Sequence, residues 1–205
     1  MTITSTVSSV MRKTSLRDHA ASFQETVDEV VAFAARASED QTDQDVTWIH
    51  EYAIIRLFRE FEGLMLNAIA GAINNDSSVL SGTLGIRFPV HLAHPVCEYI
   101  VTGGGYFDFR GRDGLIKDMK KLLGDGHWLL TIVRKQAYRQ PLDQLIALRN
   151  FAAHDSEQSR TKAKESVGFQ RLAAAGAWLK RQGRLTALAT RLKALASEIE
   201  AAAPY

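Results

Sequence analysis

The sequence predicts an all-α fold, and three observations carry that prediction. Ala and Leu dominate both flanks of the 205-residue chain, and apolar residues there recur at three- and four-residue steps. The alternation of β-branched residues that marks strands is nearly absent. Glycine is scarce outside the middle, and only four prolines occur, at positions 89, 95, 141 and 204. A content of 46% hydrophobic and 23% charged residues is that of a globular chain. It excludes collagen-like, mucin-like and disulfide-scaffold classes.

Residues 1–14 read as a disordered N-terminal tail, and 15–205 as a single helical domain with a long central helix. Ser15 followed by Asp18 has the form of a helix cap. The helix it starts runs to about Ala37, with Phe23, Val27, Val30, Val31 and Ala34 on one face. Acidic Glu39–Asp45 links it to the longest helix, about Val46 to Ile73. In that helix Leu57, Phe61, Leu64 and Ala68 form one apolar stripe. Residues 76–94 hold no period and read as a long connection. A short helix follows Pro95. Residues 102–111 break regular structure and leave room for an irregular or two-strand excursion. Asp113 can cap a helix to about Leu123, and 127–139 continues helical. Pro141 suits the first turn of the next helix, where its missing N–H costs nothing. That helix reaches about His154. Ser156–Ser159 is a turn or cap, and two last helices are expected near 160–181 and 185–202.

Targeting features are weak. The Ser- and Thr-rich stretch Met1–Met11 precedes Arg12 and Lys13, the reverse of a secretory signal's order. No run reaches about 18 apolar residues, so no membrane partner is expected. The single cysteine, Cys97, forms no intramolecular bridge. Together these make the cytoplasm the expected location.

The helix from Leu142 to Asp155 carries the most chemical information. On an ideal wheel with Leu142 at 0°, apolar side chains cover well over half the circumference. Such a helix needs burial on several sides or a subunit interface. Arg149 falls at about 340°, inside the apolar arc, while Asn150 and His154 fall at about 80° and 120°. An arginine so placed is costly unless paired or used. The structural alternative is a snorkelling or salt-bridged Arg149, with His154 an ordinary helix-end residue.

Leu148-Arg149-Asn150-Phe151-Ala152-Ala153-His154 contains an Arg, a polar neighbour, and a His after four intervening residues. This resembles the R-x(4–6)-H motif of the HEPN superfamily. Those are small all-helical domains, many of them metal-independent endoribonucleases of toxin–antitoxin and phage-defence systems. Ile55-Arg56-Leu57-Phe58-Arg59-Glu60-Phe61-Glu62 is similar to the long helix that packs beside the motif helix there. The resemblance covers about residues 45–155. It implies Arg149 and His154 as the catalytic pair, Asn150 as the supporting polar residue, no cofactor or metal, and RNA as substrate. It also implies a homodimer with the active site at its interface, and an antitoxin or other regulatory partner. Some members carry a modifiable Tyr two residues after the His; Ser156 stands there in this chain.

The chemistry fits those residue types. RNA cleaves without metal when the ribose 2′-OH attacks the adjacent phosphate. An imidazole takes or gives a proton near neutral pH. A guanidinium offers permanent charge and a forked donor to the phosphate oxygens. Arg149 and His154 lie about 140° apart on an ideal wheel, so convergence requires fraying near His154 or a second copy.

Other constellations compete. His154-Asp155 with His127 resembles a metal phosphohydrolase set, but no Asp follows Asp155. His91, His94 and Cys97 stand at ligand spacing with no evident fourth ligand. Gly103–Gly105 lacks the Lys and Ser/Thr of a phosphate loop. Its neighbours Tyr106, Phe107, Phe109, Arg110 and Arg112 suit either a core or base stacking. The net charge of +2 conceals −6 over residues 1–100 and +8 over the rest. The run Arg160, Lys162, Lys164, Arg171, Lys180, Arg181 and Arg184 is either a solvated face or a phosphate-tracking surface beside Arg149.

Overall fold

The Ser15 hydroxyl accepts the Asp18 N–H at 3.2 Å and so opens helix α1, Leu16–Ala37. The structure, a computed structural model, describes residues 15–107 and 111–204. The tail expected at 1–14 lies outside the described residues. Thr42 caps the second helix through the Asp45 N–H, and α2 runs Asp43–Asn75, a turn longer than its apolar stripe alone indicates. The remaining helices are α3 (Ser78–Leu84), α4 (His94–Thr102), α5 (Gly111–Leu123), α6 (Trp128–Arg134), α7 (Arg139–His154), α8 (Glu157–Val167), α9 (Ala175–Leu179) and α10 (Arg184–Ala202). No strand occurs among the described residues, so the all-α class holds.

Helix α2 is the central element. It packs against α1, α4, α5, α7 and α9, and α1 packs in turn on α10. Phe61, Met65, Ile69 and Ile73 of α2 are fully buried, and the apolar residues of all these helices join one cluster. The periodicity of α1 is realised, with Phe23, Val27, Val30 and Ala34 buried and Val31 packed at the margin. None of the described helices is long and apolar enough to cross a membrane.

Three expectations are corrected. The stretch 76–94 contains α3, whose single buried residue is Leu80. One buried side chain in seven residues leaves no period to read. The helix expected over 160–181 is two. Gly168 adopts φ 69°, and its N–H donates back to Glu165 and Lys164, closing α8 seven residues before α9 begins. The stretch 127–139 divides into α6 and a 3-10 turn at Gln136–Tyr138. Of the irregular stretch 102–111, residues 103–105 turn out of α4, Gly111 already belongs to α5, and 108–110 lie outside the described residues.

Candidate functional site

Helices α7 and α8 are joined at a sharp corner, and the groove they enclose contains Arg149, Asn150 and His154. Asp155 makes the corner. It holds a left-handed conformation (φ 40°) that Asp tolerates better than most residues. Its N–H donates to Phe151, and its carboxylate accepts from Arg160 at 3.1 Å. Ser156 then caps α8, exchanging hydrogen bonds with Ser159. His154 is therefore the last residue of an unfrayed helix, exposed beside a pinned turn.

The groove has a volume of about 810 Å³. Phe58 of α2 contributes to it from below. One wall is α7, with Asp143, Ile146, Arg149, Asn150 and His154; the facing wall is α8, with Gln158, Lys162 and Glu165. On the wheel the groove-lining residues of α7 span about 340° through 140°, which includes both Arg149 and His154. Fraying is not what brings them to one cavity.

The over-apolar character of α7 resolves through the first of the two alternatives, burial within the chain. Pro141, Leu142, Leu145, Leu148 and Phe151 are buried within the chain. Ile146 and Ala147 line the groove. The apolar arc thus needs no second subunit to cover it.

Arg149 sits over the Phe58 ring, its guanidinium carbon 4.2 Å from the ring centroid. Its Nη1 donates to Asn150 Oδ1 at 2.7 Å. No carboxylate among the described residues forms an ion pair with it. An aromatic face and an amide oxygen hold the guanidinium in place without neutralising it. Asp143, also on the groove, has its carboxyl pushed up by burial, against the pull of Arg112 and Arg139.

The competing constellations disperse. His94 pairs with Glu98 at 3.2 Å, His91 Nδ1 lies 3.3 Å from the Asn74 carbonyl, and burial pushes the Cys97 thiol up to about 11. No cluster of three or more metal-ligating side chains occurs among the described residues. Arg112 is buried and donates to the Arg134 carbonyl at 2.8 Å, which removes it from any base-stacking surface. Phe109 and Arg110 lie outside the described residues.

The basic run does not gather at the groove. Lys162 lines it, but Arg160 is taken by Asp155. Lys180 is bound to Asp43 and Thr47, and Arg184 stacks over Trp178 and Phe169. Asp143 and Glu165 line the groove together with Arg149 and Lys162, so the charge of its walls is mixed. Reasoning from sequence missed Phe58 as the arginine's platform, because a contact between residues 58 and 149 leaves no local pattern.

His127 caps α6, its Nδ1 accepting the Leu129 N–H at 3.2 Å. Burial lowers its pKa, with Asp76 opposing, and burial also lowers His19 and His50. The folded state therefore binds fewer protons than the unfolded one below the ordinary value of 6.5. The stability these groups contribute is complete above that value and lost as pH falls through the lowered ones. Thermal melts should show Tm declining from about pH 7.5 to about 5.5. His127→Asn keeps a cap acceptor that does not titrate, and should reduce the slope. An unchanged slope in that variant would remove His127 from the account.

No protein-family model, curated protein or solved structure gives a significant match to this chain. The groove must be read on its own chemistry.

Proposed function

We propose that this protein is a metal-independent endoribonuclease of the HEPN type, acting as a homodimer in the cytoplasm as a toxin or defence effector held in check by an antitoxin. The observation that carries the reading is Arg149: oriented by Phe58 and Asn150, facing an 810 Å³ groove, and paired with no carboxylate among the described residues. A purely structural arginine would be expected to meet an acidic partner. In the proposed reaction the ribose 2′-oxygen attacks the adjacent phosphorus, and the bond to the 5′-oxygen breaks. The products are a 2′,3′-cyclic phosphate and a 5′-hydroxyl. Arg149 holds the phosphate oxygens as their charge grows. His154 transfers the proton, from the 2′-OH or to the leaving 5′-oxygen. Asn150 fixes the guanidinium.

The test is incubation of the wild type and His154→Ala with total RNA in excess EDTA. Wild type should cleave and leave cyclic phosphate ends. The variant should lose about 10²- to 10⁴-fold in rate. Full activity in His154→Ala would sink the mechanism.

A second reading is a non-catalytic HEPN-like binding or dimerisation module, and the stacking of Arg149 on Phe58 favours it. That contact would serve a structural arginine equally well. It expects no cleavage under any condition.

A further inference from the structure

The amino-terminal half of α2 carries an aromatic stripe that the described residues leave uncovered. Trp48 is 59% exposed and Tyr52 55%, and Ile55 continues the same line. The spacing of four and three residues keeps all three on one face. Phe33 of α1, also exposed, meets the Tyr52 ring edge-on at 5.8 Å and widens the patch. Isolated apolar side chains on a surface are ordinary, but adjoining Trp, Tyr, Ile and Phe on two packed helices are the composition of an interface centre.

The charges along the stripe indicate what covers it. Asp45 lies seven residues before Tyr52, and Arg59 seven residues after it, both on the stripe's side of the helix. Neither forms an ion pair among the described residues. Arg56, whose guanidinium pairs through Nη2 with Glu60 of the same helix at 2.8 Å, lies four residues after Tyr52, as Trp48 lies four before it. A two-fold axis at Tyr52 sets a second α2 antiparallel to the first. Equal offsets then oppose each other: Asp45 against Arg59 of the second copy, Trp48 against Arg56 of the second copy, Tyr52 against itself. The first is an ion pair and the second a cation–π contact, and each occurs twice. A face that is complementary to its own rotated image fits a second copy of this chain better than any basic or acidic stranger.

We infer that the face Trp48–Tyr52–Ile55, with Phe33, is the self-association surface of this protein, an isologous pairing of two α2 helices. The inference rests on the homodimer of the proposed reading, whose surface it names, and is independent of the catalytic roles of Arg149 and His154. It bears on the groove because Phe58, its platform residue, lies on the same helix about 60° round from Ile55. The seam therefore runs beside the two grooves.

The full chain is examined by sedimentation equilibrium over a low- to high-micromolar series. Wild type should dimerise. Trp48→Asp should weaken the dimer about tenfold or more, with an unchanged circular dichroism spectrum because Trp48 supports no core. Asp45→Arg and Arg59→Asp should each weaken it, and the two together in one chain should restore it. RNA cleavage is measured in parallel, so loss of dimer with cleavage retained separates this surface from the catalytic reading. A wild type that is monomeric throughout overturns the inference. So does a dimer indifferent to Trp48→Asp, or a double reversal no better than the single ones.

Discussion

Arg149→Ala is expected to slow RNA cleavage by about a hundred- to a thousandfold, the usual cost of removing one preorganised donor from a growing negative charge. The same substitution should barely change stability. Arg149 is only partly buried, and its contacts are one ring face and one amide oxygen. Losing a cation–π contact at such a site costs about 0.5–1 kcal/mol. In a chain of this length that is a few degrees of Tm at most. No buried carboxylate is left stranded by the change, which is the usual source of a large penalty. Arg149→Lys should fall between wild type and alanine, because it keeps the charge and loses both the fork and the flat stacking surface. The two readings of the groove therefore part on a pair of measurements. A large loss of rate with a small shift in Tm belongs to catalysis. A large drop in Tm with no cleavage in the wild type belongs to a structural arginine in a binding module.

Several helix starts were legible because a local rule set them, whereas the stop at Gly168 was not. Ser15 with Asp18, Pro141 in a first turn and Ser156 at a corner are each decided by residues within one turn of each other. The long stripe of α2 was legible because a buried helix repeats its period many times. Helix α3 was not, since it buries Leu80 alone. The fate of the cations was not legible either. Lys162 and Lys180 are alike in sequence, yet one lines the groove, and the other is pinned to Asp43 by a contact 137 residues distant. Charge along a chain says how much there is, and the fold decides how much is neutralised. Arg149 is the reverse case: its oddness on the wheel was visible from sequence, and the ring that accommodates it was not.

Gly176→Ala is expected to destabilise the protein substantially, although alanine is the better helix former. A Cβ built at Gly176 overlaps the carbonyl oxygen of Thr47, comes within 2.8 Å of that residue's carbonyl carbon, and meets Glu51 Cγ at 3.0 Å. The obstacle is backbone in the second turn of α2, where Thr47 is buried, so relief requires α9 to move away from α2. That movement would disturb two other attachments at the same seam. The Glu51 carboxylate accepts from the backbone N–H groups of Ala175 and Gly176, although burial still pushes its carboxyl up. Lys180 Nζ donates to the Asp43 carbonyl at 2.7 Å and to Thr47 Oγ1 at 2.8 Å. Overpacking of this kind costs about 1–3 kcal/mol, or a fall in Tm on the order of 5 °C in a chain of this size. Gly63→Ala is the control. It lies within α2, nothing stands within 4 Å of its Cβ position, and alanine there should stabilise by about 0.5–1 kcal/mol. The same chemical change should thus move Tm in opposite directions at two glycines. If Gly176→Ala melts with the wild type, α9 does not dock on α2 at this distance. Because neither glycine lines the groove, cleavage below the melting transition should be unaffected in both variants.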